Sequence, residues 1–266
     1  ETSMVSFLTL VALPALAAGF EAPVEAAGAT VLVTGATGRT GALLYAKLKA
    51  DSRVGTVRAL VTSIDKARST LKCSKCDASE GIYLGNVTQL STLTAAMKGV
   101  STVAITVGAS PYSSPDLQRA IEFTGVQNQV RALAAGGGAA SAAELRVVLC
   151  SSMGTSAPSP KPEEGGSILF WKLNAEAFLG ASGVGSVVVK PCGLSGPVDK
   201  TMLVGHDDSL LQTSPPLVAR KNVAAVMAEA VALRSANLRF DLCSKEGPPT
   251  TDLGALLTAA ALPWQK

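Results

Sequence analysis

Eleven residues early in the chain, Val31-Leu-Val-Thr-Gly35-Ala-Thr-Gly38-Arg-Thr-Gly41, have the types and spacing of a cradle for a dinucleotide phosphate. In such a turn Gly35 lets the chain reverse tightly, Gly38 lets the backbone approach a pyrophosphate, and Gly41 lets the next helix pack closely on the strand. The helix start adds free N–H donors and the positive end of its dipole. Thr37, Arg39 and Thr40 complete the turn and are expected to contact the cofactor. An NAD site wants an acidic residue about 20 positions further on, to hold the ribose 2′-hydroxyl. The second strand ends instead at Thr62-Ser63, with Lys66 and Arg68 following. Two hydroxyls and several cations without a carboxylate favour NADP(H), with Arg39 as the leading phosphate ligand and Arg68 as a solvated helix charge.

The turn works only if a strand precedes it and a helix follows. The apolar run Thr30–Thr34 and the helical spacing of Leu43, Leu44 and Leu48 predict that pair. Further apolar runs predict strands at Val57–Val61, Gly81–Leu84, Thr102–Val107, Arg146–Cys150, Ser186–Lys190 and Arg239–Cys243. Helices are expected at Ile64–Leu71, Gln89–Lys98, Asp116–Ala135, Ile168–Ala181, Lys221–Arg234 and Asp252–Ala261. Alternating β and α units with fully apolar strands imply an α/β fold, a doubly wound parallel sheet covered on both faces. One Rossmann-like domain is expected over 29–266, with a small substrate or lid region near 191–216 and 244–262.

Of 266 residues 47% are hydrophobic, enough for a sizeable core, and the formal charge of +3 is too small for a polyanion-binding field. No nucleic-acid partner is expected. Five cysteines in a chain this long argue against a disulfide-stapled scaffold and for a reducing compartment. Cys73-Ser-Lys-Cys76 lacks the two further ligands of a structural zinc site, and it reads as an exposed insertion or a redox dithiol. Cys150, Cys192 and Cys243 read as small apolar residues, and His206-Asp207-Asp208 as a polar turn. Residues 1–28 read as a targeting segment: Val5–Gly19 is an uncharged apolar run and Ala15-Leu-Ala17 fits a cleavage site.

The glycine spacing resembles that of extended and atypical short-chain dehydrogenase/reductases, and the resemblance runs from about Ala29 to Leu257. Gly85-Asn86-Val87 is similar to their turn after the third strand, Val103–Val107 with Gly108 to their fourth strand and its end. Val147–Gly154 is similar to their fifth strand with its serines, and Val189-Lys-Pro191-Cys-Gly193-Leu to the loop after their sixth. Within that group the chain looks like the NmrA-like and biliverdin reductase B-like proteins of plants and algae, plastid type. The resemblance implies cofactor contacts at Asn86, Val87, Val107, Gly108, Lys172, Pro191 and Gly193, with Asn222 expected as a helix cap.

In these enzymes a Tyr four residues before a Lys donates the proton that accompanies hydride transfer, and a Ser on the preceding strand end polarises the carbonyl. The resemblance assigns those parts to Lys172 and to Ser151 or Ser152, but Ile168 stands at the Tyr position. Tyr112 on a nearby loop is the substitute donor to look for. The expectation is an NADP(H)-binding protein reducing a flavin-, quinone- or tetrapyrrole-like acceptor that takes its proton from water; the alternative is a non-catalytic NADP sensor or scaffold subunit of a plastid complex. Phe20 after the cleavage site resembles bipartite plastid leaders, which implies the plastid stroma; the alternatives are the secretory pathway or membrane association through residues 4–19.

Overall fold

A computed structural model describes residues 28–157, 167–196 and 199–265. The expected targeting segment and most of the Pro/Ser loop after the fifth strand lie outside the described residues. The elements in chain order are β1 (Val31–Thr34), α1 (Gly41–Ala50), β2 (Val57–Val61), α2 (Ile64–Leu71), β3 (Ile82–Leu84), α3 (Thr94–Met97), β4 (Thr102–Ile105), α4 (Pro115–Arg119), α5 (Gly125–Ala135), β5 (Arg146–Cys150), α6 (Ile168–Ala181), β6 (Gly185–Pro191), β7 (Gly193–Ser195), β8 (Thr201–Gly205), β9 (Leu217–Ala219), α7 (Arg220–Ala232), β10 (Leu238–Lys245) and α8 (Leu253–Ala259). A π-helical turn, Ala120–Thr124, joins α4 to α5.

The main sheet runs β3-β2-β1-β4-β5-β6-β10-β8. Seven strands are parallel and β8 alone runs antiparallel, against β10. This is the doubly wound Rossmann-like α/β sheet, with strand order reversing between β1 and β4. Side chains alternate across it. Val31 and Val33 face α1, α2, α7 and α8 in one core with Leu44, Leu48, Met227 and Phe240. Leu32, Val103 and Ile105 face α3, α5 and α6 in the other, with Met97, Leu133 and Leu179. Burial on both faces explains why these strands read as unbroken apolar runs.

The structure departs from expectation where elements are short or at an edge. The stretch read as a lid, 191–216, gives β8 to the main sheet, while β7 pairs with β9 in a two-stranded parallel sheet. Three-residue strands carry too little alternation to be read as periodic. Helix Gln89–Lys98 is a 3-10 turn, Leu90–Leu93, followed by the single turn α3. Asn222 does not cap α7: the helix starts two residues earlier, at Arg220, and Asn222 is buried inside its first turn.

The cysteines also depart from expectation. Cys73 bonds to Cys76 and Cys192 to Cys243, leaving Cys150 as the free thiol. The second pair forms because β6 and β10 are neighbours, and the Cys192 N–H donates to Leu242 O at 3.0 Å. The first pair is no loose insertion. Cys76 is buried, and Glu80 accepts from its N–H at 2.7 Å and from the Ser74 hydroxyl at 2.8 Å.

Candidate cofactor and acceptor site

At the switch point the ends of β1 and β4 lie side by side, with Thr34 opposite Ile105. Thr106, one residue beyond, donates through its hydroxyl to Thr34 O at 2.8 Å and closes on the glycine turn. A Cβ on Gly35 would lie 2.9 Å from the Thr106 backbone, and Gly35 sits at φ +73°. A Cβ on Gly41 would strike Gly35 O and lie 2.5 Å from Thr106 Oγ1. Those two glycines are therefore required by the fold itself. At Gly38 an added Cβ would meet only Gly35 O, at 3.1 Å. That position opens outward into the cleft.

The cleft has two halves. The first, about 380 Å³, is lined by Gly35, Thr37, Thr62, Lys66, Asn86 and Val87 among others. The second, about 550 Å³, is lined by Arg39, Thr40, Ser151, Ser152, Lys172, Pro191 and Gly193 with their neighbours. Gly38, Thr106, Val107 and Gly108 line both. A two-part groove joined at the helix start fits an extended dinucleotide, with one nucleoside on each side of its phosphates. α1 has neither a side-chain cap nor an acidic residue in its first turn; the Ala42 N–H donates to Gly38 O at 2.9 Å, and no side chain competes with an anion for the other first-turn N–H groups.

Two residues from the predicted set stand apart. Ser63 is absent from both linings and caps α2, accepting from the Lys66 N–H at 3.2 Å. Arg39 leaves the side where a 2′-phosphate ligand was expected: it lines the larger half, beside Arg220, and the smaller half holds Thr62 and Lys66 instead. The glycine turn carries residue 39 to the half of the cleft away from Thr62 and Lys66, which spacing along the chain does not reveal. Arg68 pairs with Asp65 at 3.3 Å on the surface, as a solvated charge.

In the larger half Lys172 Nζ lies 2.8 Å from Glu122 Oε2, on the π turn. Burial draws the Lys172 pKa down, but Glu122, by charge and hydrogen bond, outweighs it and holds the ammonium above the ordinary lysine value. Glu122 also accepts from the Ala109 N–H at 2.7 Å, on the loop after β4. Burial raises the pKa of the neighbouring Cys150 thiol, which lines the same wall. A buried acid in the middle of a helix gave no sequence signal, because the π turn rotates it off the helical register.

The serines do not face outward as donors. Ser151 donates its hydroxyl to Glu176, which is held in turn by Arg239 at 2.9 Å, and Ser152 donates to Met153 O at 2.9 Å. Ile168 lines the cleft where a tyrosine would supply a proton. Tyr112 is 97% exposed and lines neither half. Trp171 packs with Phe123, Phe170 and Arg119 away from the cleft. Nearby, Lys190 Nζ lies 2.7 Å from Asp208 Oδ1 and 3.3 Å from Asp241 Oδ1. Asp207 meets Arg239 at 3.4 Å, so the His206-Asp207-Asp208 turn is pinned to β6 and β10.

A family model described as NAD(P)H-binding matches residues 35–233. The chain belongs to this family. It is an NAD(P)-binding Rossmann-fold protein of the NmrA-like, atypical short-chain dehydrogenase/reductase type. It is 32% identical over 255 residues to an uncharacterized chloroplastic protein of Arabidopsis thaliana, covering 86% of this chain and 74% of that one. It is 28% identical over 277 residues to a sanguinarine reductase of Eschscholzia californica, covering 88% and 97%. Among solved structures it resembles a putative NAD-dependent epimerase/dehydratase from Bacillus halodurans, with a TM-score of 0.68, 20% identity, and 87% of this chain and all of that chain covered. That last likeness speaks to the fold alone.

Proposed function

We propose that this protein is an NADPH-dependent reductase of a conjugated acceptor, flavin-, quinone- or tetrapyrrole-like, whose proton comes from solvent. The observation that carries it is the larger half of the cleft, which pairs a buried ammonium at Lys172 with Ile168 where an acid would stand. The bound cofactor supplies a hydride. Lys172, fixed by Glu122, would hold the cofactor's ribose, and Ile168 and Met153 give the cleft an apolar wall that would keep water from the reacting centre. With Ser151 and Ser152 both donating into the protein and Ile168 at the tyrosine position, the cleft lacks, among the described residues, the serine and tyrosine donors that would protonate an alkoxide. An acceptor that delocalises the incoming electron pair and then takes a proton from water needs none.

Support for NADP over NAD comes from Thr62 and Lys66 in the smaller half, whose lining includes no carboxylate. The chloroplastic relative supports a plastid stroma location. Among the described residues no helix is long and apolar enough to cross a membrane. The test is NADPH oxidation with FMN, a benzoquinone and biliverdin in turn. Turnover with at least one supports the reading; binding of NADPH without turnover on any of them favours the alternative, a non-catalytic NADP sensor or scaffold of a plastid complex.

A further inference from the structure

The ionisable side chains lining the larger half of the cleft include Arg39, Glu122, Lys172 and Arg220. Glu122 and Lys172 neutralise each other at 2.8 Å. Among the described residues Arg39 and Arg220 have no carboxylate within ion-pairing distance, so this half of the cleft carries two uncompensated positive charges. They lie close enough to repel: burial first, and then the Arg39 charge, lower the Arg220 pKa. Arg220 is also the first residue of α7, where the helix dipole disfavours a cation. A guanidinium kept at a helix start, beside another guanidinium, is costly unless an anion comes to it.

The cofactor does not need this pair. Its pyrophosphate has the open N–H groups of α1, and its 2′-phosphate has Lys66 and Thr62 in the other half. Arg220 is instead held from the far wall, donating through Nη1 to Ser195 O at 3.0 Å on β7. The same wall brings Cys192, Gly193, Leu194 and Leu211 to the cleft, from the region between β6 and α7. Leu194 and Leu211 are among the exposed large apolar side chains, which suits a surface awaiting a planar apolar body.

We infer that Arg39 and Arg220 form an anion clamp on the acceptor side of the cleft, selecting a conjugated acceptor that bears a carboxylate or phosphate group. This rests on the reductase reading for the word acceptor, but the clamp itself is a binding site and can be tested without turnover. Arg220 presents a planar fork suited to two parallel bonds with such a group, and Arg39, on the glycine turn, approaches from the opposite wall.

The experiment uses FMN and riboflavin, which share one ring system and differ by a phosphate. Their dissociation constants are measured by flavin fluorescence on the full chain saturated with NADP+. The expected result is FMN binding at least tenfold tighter than riboflavin. R220Q removes that preference while NADPH affinity stays unchanged, and R220K retains part of it, which separates charge from a loss of packing at Ser195. Failure of FMN to bind, or equal affinity for the two flavins, overturns the inference. So does an R220Q variant that loses NADPH affinity by the same factor as FMN, since the arginines would then serve the cofactor's own phosphates. If FMN is preferred but neither it nor a benzoquinone nor biliverdin is reduced, the clamp stands and the reductase reading falls.

Discussion

Lys172 on α6 and Glu122 on the π turn meet at 2.8 Å, and each is the other's only ion-pair partner among the described residues. The two side chains are 12% and 3% exposed, so neither charge has water to fall back on. Removing one partner from such a pair costs about 3–5 kcal/mol. The E122Q variant is therefore expected to unfold at lower denaturant, its unfolding free energy reduced by an amount in that range.

The sign of its pH dependence follows from the same pair. Folding raises the Lys172 pKa above its ordinary 10.5, so the pair's contribution is complete below that value and is lost as pH climbs through the folded value. In E122Q burial dominates and pulls the ammonium down, so lysine deprotonation relieves the fold at a lower pH. Urea unfolding at pH 7 and pH 10 checks this: the gap between wild type and variant narrows at the higher pH.

The glycine turn separates folding from binding. Gly41→Ala must push Gly35 and Thr106 apart and is expected to cost stability, read as a lower melting temperature. A Cβ at Gly38 meets only one backbone oxygen, at 3.1 Å, and Gly38 lines the cleft, so the bulk of Gly38→Val is expected to enter the cofactor groove. Its melting temperature is expected to stay within a few degrees of wild type while NADPH binding, followed by fluorescence titration, is lost. Retained affinity in Gly38→Val refutes the placement of the phosphates.

Cofactor choice is tested at Lys66. K66A is expected to weaken NADPH binding about tenfold, the loss of one hydrogen bond to a charged group, and to leave NADH unchanged. An equal loss for both cofactors places Lys66 elsewhere than on the 2′-phosphate.

Acid stability depends on Asp208. Burial pushes its carboxyl pKa up, but the Lys190 ammonium and the N–H groups of Ser156 and Gly154 outweigh it and hold the value at about 2. A depressed carboxylate stabilises the fold above its ordinary value of 3.8 and loses that contribution as pH falls toward 2. D208N is therefore expected to show a smaller fall in stability than wild type between pH 4 and pH 2, measured by circular dichroism of the acid transition. Identical acid transitions would mean that Asp208 is not the group holding the turn.

What could be read from the sequence followed from local rules. β2, α2, β5 and α6 span the residues their patterns predict, because long apolar strands and capped helices carry their own signals. Of the residues assigned to cofactor or catalysis from the sequence, all but Ser63, Gly41 and the substitute donor Tyr112 line one half or the other, since the glycine turn fixes where the strand ends converge. Glu122, Glu176 and Arg220 were not legible. Each acts on a partner 25 or more residues away, Lys172, Ser151 and Ser195 respectively, and such pairings exist only once the sheet has formed. Arg39 was legible as a cleft residue, but the side it serves depends on how the turn is aimed.

The order of the strands in space differs from their order in the chain at one place with a consequence for biosynthesis. β10 lies between β6 and β8, although β8 is made more than thirty residues before it. A nascent chain that has reached only Ala232 thus holds β6 with a bare edge and β8 with nothing beside it. The strand made after α7 is a keystone: it covers that edge, seats β8, and brings Asp241 and Cys243 to Lys190 and Cys192, which are already in place.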